Sequence, residues 1–96
     1  SAAEIAETTL SVRDAFRPLY EEDFGPEAYA EQIARLILFG SNGCGDYYGY
    51  RVDANGIPDE SAIVLWQHEE LGEPDCIQTV ARNMTELIAR YYNNEI

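Results

Sequence analysis

The chain has 96 residues, of which 46% are hydrophobic, so it is one small domain with enough apolar content to fold despite a formal net charge of -12. Eighteen acids face six bases, and every base is arginine; a surface this negative repels nucleic acid and anionic lipid and attracts a basic protein. A generic solubility charge is the plainer reading of the same number, and no apolar run is long enough for a membrane span; the cytoplasm is the expected location because the two cysteines read as unpaired thiols of a reducing compartment.

In chain order, residues 1–10 are weakly patterned, and Ser11 to Tyr20 carries Val12, Phe16 and Leu19 at helical spacing. Pro18 predicts that this helix is short or kinked. Gly25-Pro26-Glu27 restarts a helical turn, with proline near the first position. Arg35 to Phe39, RLILF, reads as a buried strand, and FGSNGCGDYYGY at 39–50 makes a glycine corner with Gly40, Gly43 and Gly45. Asp46 to Val52 then alternates as a strand, with Tyr48, Tyr50 and Val52 on one side and Tyr47, Gly49 and Arg51 on the other.

Asp53-Ala54-Asn55-Gly56 supplies hairpin-turn chemistry. Ala62 to Glu69 is rich in β-branched and aromatic residues and is expected to be a strand, as is Cys76 to Ala81. Asn83 caps a last helix, with Glu86 three residues on and Met84, Leu87, Ile88 and Tyr91 as its apolar stripe. The order predicts an α+β fold: a single antiparallel sheet of about four strands, short helices before it, and a C-terminal helix packed on it. Leu36, Leu38, Tyr48, Tyr50, Ile63, Leu65, Leu87 and Ile88 are the expected core.

The glycine corner is the one stretch that invites a chemical reading. Gly40 and Gly45 have the spacing of a phosphate loop, but Asp46 stands where the lysine belongs and would repel the phosphate. Gly43 and Gly45 begin a dinucleotide fingerprint whose sixth position is Tyr48, between two strands rather than at a helix start. Asp53 begins a calcium-loop pattern that puts glycine at the wrong place. No metal or cofactor is therefore expected. His68 with Asp46 and Ser41 forms a conceivable hydrolytic trio that no spacing supports, and a lone strand-end histidine is more often structural. Cys44 and Cys76 lack metal-motif spacing and read as unpaired thiols.

With these residues in hand, the chain resembles the SUKH superfamily, which comprises bacterial immunity proteins against polymorphic toxins and fungal regulators of cell-wall glucan synthesis. The matching pattern is LILFGSNGCGDYYGYRV (36–52), AIVLWQHEE (62–70) and IQTVARNMTELIARYY (77–92). The resemblance implies a single domain over 1–96, clearest over 36–92, with its first third divergent or truncated, since RPLYEED replaces a Leu-Pro-x-x-Tyr-like segment. It also implies no enzymatic role and a basic partner, a nuclease-like toxin domain foremost. A regulatory scaffold of the fungal kind is the alternative, a small hydrolase using His68 a weaker one, and a homodimer stays open. Asp46, Tyr47 and Arg51 on the more exposed sheet face, with Glu69 and Glu70 on an acidic rim, are the expected partner-binding residues.

Overall fold

A computed structural model describes residues 1–96. Its elements run α1 (Ala2–Asp23), α2 (Pro26–Glu31), β1 (Leu36–Ser41), β2 (Tyr47–Arg51), β3 (Ile63–Trp66), β4 (Ile77–Ala81) and α3 (Met84–Tyr92). Short 3-10 turns lie at Ile33–Arg35, His68–Glu70 and Pro74–Cys76. The four strands form one antiparallel sheet in the order β1-β2-β3-β4, so the fold is α+β as expected. No helix is long and apolar enough to cross a membrane.

The N-terminal helix is where the structure departs most from expectation. Instead of a short piece from Ser11 to Tyr20, α1 is continuous over 22 residues. Ser1 and Glu4 start it reciprocally: the Ser1 hydroxyl accepts from the Glu4 amide at 3.3 Å and donates to its carboxylate at 3.0 Å. Pro18 leaves the Asp14 carbonyl without its helical donor, but both residues are exposed to solvent, where water can take that place. Thr9, Val12 and Tyr20 form the buried line of α1, with Phe16 half-buried between them. The helix stops where the Phe24 and Gly25 amides both donate to the Tyr20 carbonyl at 2.8 Å, and Pro26 then opens α2.

Strand alternation puts apolar residues on both faces of the sheet, and both faces carry helices. Leu36, Leu38, Val64 and Trp66 meet Val12, Tyr20 and Ile33 on the first face. Tyr48, Ile63, Val80, Ala81 and Leu87 make a smaller second core on the other. The expected core therefore splits in two. Leu36 and Leu38 lie on the first face, while Tyr48, Ile63 and Leu87 lie on the second with Tyr50 and Leu65 partly buried beside them. Ile88 does not belong to it, being 62% exposed. A bulge in β4 opposite Ile63 and Val64 leaves Val80 as an extra residue, which lets the consecutive Val80 and Ala81 join the same core.

Two side chains of α1 attend to the backbone of β1. The Thr9 hydroxyl accepts from the Leu38 amide at 2.9 Å and donates to the Leu38 carbonyl at 3.3 Å. The Arg13 guanidinium donates to the carbonyls of Ile33 (3.4 Å), Ala34 (3.0 Å) and Leu36 (2.7 Å). At the opposite margin, Arg90 of α3 donates to the Val80 carbonyl of β4.

The first core contains a polar network. Trp66 Nε1 donates to the Tyr20 hydroxyl at 3.0 Å, and that hydroxyl donates to Gln32 Oε1 at 2.7 Å. Cys76 lies 3.8 Å from the same hydroxyl, and its thiol donates to the Gln67 carbonyl at 3.2 Å. Burial raises the pKa of the Tyr20 phenol and of the Cys76 thiol above their ordinary values of 10.0 and 9.0. Both groups are neutral when protonated, so the fold retains their contribution below about pH 9 and loses it as the unfolded chain ionises first. Stability should therefore fall as the pH rises past about 9 and fall faster past about 10. Urea titrations of wild type and Tyr20→Phe across that window check this, the variant showing the shallower decline.

Candidate functional site

The corner between β1 and β2 uses its polar groups on itself. The Ser41 hydroxyl accepts from the Gly43 amide at 2.9 Å, and Asn42 Oδ1 accepts from the Cys44 amide at 2.8 Å and the Asp46 amide at 3.3 Å. Asn42 N donates back to the Asp46 carbonyl at 3.1 Å. Gly43 (φ +84°) and Gly45 (φ +93°) supply the left-handed turns this requires, whereas Gly40, beside the bulge at Phe39 in β1, has no positive φ and open space next to it. With the Gly43, Cys44 and Asp46 amides engaged inside the turn, they are not presented together to an anion.

Asp46 is the joint of the corner. Its Oδ1 accepts from the His68 backbone amide at 3.0 Å and lies 2.7 Å from His68 Nδ1. The Asp46 side chain is 18% exposed and that of His68 31%, so the pair sits at the rim of the first core, near Phe16. The geometric condition for a histidine base held by a carboxylate is thus met. The trio with Ser41 is not assembled: no bond joins the Ser41 hydroxyl to His68, and its one contact is with the Gly43 amide. His68 Nε2 instead faces the Glu69 carboxylate at 3.9 Å.

Gly45 must stay small for this pairing, since a Cβ there would lie 2.8 Å from His68 Cε1. Gly43 has nothing within 4 Å of its own Cβ position. Gly43→Ala should therefore cost only the positive-φ strain of about 1–2 kcal/mol, and Gly45→Ala measurably more. Adding His68→Ala to Gly45→Ala should recover part of the difference; thermal melts of the four proteins read it.

The other expected contact residues are dispersed. Tyr47 does not lie on an open face: it is half-buried on the first face, its ring 6.4 Å from that of Trp66, because α1 covers that side. Asp46 is drawn inward by His68. Arg51 is exposed at the other end of β2, beside Arg35 and Glu31. Glu69 and Glu70 are exposed as expected, but on a 3-10 turn, since β3 ends at Trp66 rather than running to Glu69.

That turn brings the two glutamates into an acidic pole. Gln32 ties the segment 68–76 to the start of the sheet, accepting from the Gly72 amide at 3.2 Å and donating to the Glu73 carbonyl at 3.0 Å. Gly72 (φ +78°) packs under the Phe24 ring, where a Cβ would fall 2.5 Å from the ring carbons. Exposed Glu69, Glu70, Glu73 and Asp75 thereby join the α1–α2 corner, which carries exposed Glu21, Glu22, Asp23 and Glu27. Neutralisation within the chain is slight. Arg17 and Arg82 pair with Glu21 and Glu86, while Arg13 and Arg90 are spent on carbonyls.

Sequence reading did not assemble this pole, because Gln32 carries no motif and joins segments about forty residues apart. The two cysteines are free thiols, Cys44 exposed and Cys76 buried. No family model matches the chain, and neither a curated protein nor a solved structure gives a significant match.

Proposed function

We propose that this chain is a non-enzymatic protein-binding module of the immunity type, which captures and neutralises a basic, nuclease-like toxin domain in the cytoplasm. The acidic pole carries the reading: eight exposed carboxylates on two joined segments, with Arg17 the one ion-pairing arginine among them. Charge of one sign held on a folded scaffold speeds encounter with a cationic surface and disfavours other partners. The likeness of the corner and its flanking strands to SUKH proteins points the same way.

The test is capture from the native host followed by titration of the captured protein at rising salt. A cationic toxin domain should bind without turnover and weaken steeply as salt screens the pole, and the double reversal Glu69→Lys/Glu70→Lys should weaken it at least tenfold. Capture of no cationic protein, or affinity indifferent to salt and to the reversal, overturns the reading.

A small hydrolase using His68 is a second reading, favoured by the 2.7 Å contact with Asp46. It requires turnover of an ester or phosphodiester panel that disappears in His68→Ala while the fold persists.

A further inference from the structure

The second face of the sheet is only half covered. Leu87 is the one buried residue of α3. Met84, Ile88, Tyr91 and Tyr92, the rest of its apolar surface, are 43%, 62%, 50% and 84% exposed. Beside the helix, Phe39 of β1 and Tyr50 of β2 are half-buried, and an open apolar hollow joins them to Ile37, Met84 and Ile5. A second hollow of about 300 Å3 lies along the same helix between Tyr48 and Tyr91. At its wall the Tyr48 residue is 5% exposed, and its hydroxyl has no hydrogen-bond partner.

We propose that this half-open face, between α3 and β1, is a docking groove for an amphipathic helix of a cationic protein. A sheet face covered by one nine-residue helix has room for a second helix beside it, resting on Phe39 and Tyr50 next to Met84 and reaching Ile88 at the second hollow. Exposed tyrosines suit this role because they contribute large contact area at low entropy cost and offer ring faces to cations. The sign of the partner follows from charge. A second copy would bring another -12 against the first, whereas a lysine- or arginine-flanked helix meets a chain with twelve acids in excess. The inference rests on the basic-partner reading and adds where such a partner seats its apolar residues.

The experiment titrates isotope-labelled protein with three synthetic peptides. The first is a helix with leucine at i, i+3, i+4 and i+7 and lysine elsewhere; the second replaces lysine by glutamate; the third scrambles the leucines. Binding of the first alone, with amide shifts confined to β1, β2 and α3 and at least tenfold weaker affinity for Ile88→Arg at unchanged melting temperature, supports the groove. Shifts confined to the α1–α2 corner and segment 68–76 overturn the groove and leave the basic-partner reading standing. Equal binding of the glutamate or scrambled peptide overturns the groove's specificity. A protein that sediments as a dimer through this face, released as a monomer by Ile88→Arg, overturns it in favour of self-association. Failure of the lysine peptide to bind anywhere overturns the groove, while the basic-partner reading stands or falls with the capture and salt titration above.

Discussion

Trp66→Ala should remove about 3–5 kcal/mol of the domain's stability. Trp66 is fully buried, stands edge-on to Phe16 at 4.8 Å, and is the largest side chain of the first core. Truncating a buried tryptophan costs about 3–5 kcal/mol, against a total of about 5–15 kcal/mol for a typical domain. The change also removes the Nε1 donor to the Tyr20 hydroxyl and loosens the network that fixes Gln32 and, through it, the acidic pole. Trp66→Phe separates the effects: it keeps most of the volume and should cost about 1–2 kcal/mol for the lost hydrogen bond and the smaller ring. Urea unfolding followed by far-ultraviolet circular dichroism measures both, since fluorescence loses its only tryptophan. A wild-type midpoint in Trp66→Ala would mean that this core is not what holds the sheet to α1.

Gly49→Ala is expected to be nearly as damaging, although it adds one methyl. Gly49 is a buried residue of β2, paired with Leu38 on one side and Val64 on the other. A Cβ at this position runs into the backbone carbonyl of Ile37, which cannot rotate away as a side chain would. Relief requires β1 to separate from β2, and with it the attachment of α1. Overpacking costs typically about 1–3 kcal/mol, and a backbone collision inside a ladder belongs at or beyond the upper end. Hydrogen exchange would show the loss locally, as early exposure of β1 and β2 amides while α3 stays protected. Protection unchanged in β1 would contradict the pairing.

How far the sequence could be read follows the separation of the groups involved. The final helix was legible because its signals are neighbours: Asn83 Oδ1 accepts from the Glu86 amide at 2.9 Å, and the helix ends before Asn94 at φ +58°. The turn at Asp53–Gly56 was legible for the same reason, with the Gly56 amide returning to the Asp53 carbonyl at 3.0 Å. The strand alternation of β2 was correct in period, and what covers each face was not readable from it. Tyr47 looked free because nothing local announces α1 above it. That helix was under-read because its inward line includes Thr9, a polar residue whose value lies in two bonds to Leu38, 29 residues on. The Asp46–His68 contact spans 22 residues and Tyr20–Trp66 spans 46, so neither leaves a trace in local spacing. Glycines were easier to notice than to rank. The corner drew attention, yet the residue with least room is Gly49 in mid-strand.

The bonds from Thr9, Arg13 and Arg90 to the outer strands decide how other chains can approach. An unpaired strand margin is a template on which foreign β-structure grows, whether a recognition peptide or a fibril. Here the Leu38 amide and the Leu36 and Leu38 carbonyls of β1 already have side-chain partners, and the Val80 carbonyl of β4 has its own. Recruitment by strand addition is thereby obstructed along β1. A chain adding to the β1 margin must first displace the Thr9 and Arg13 side chains.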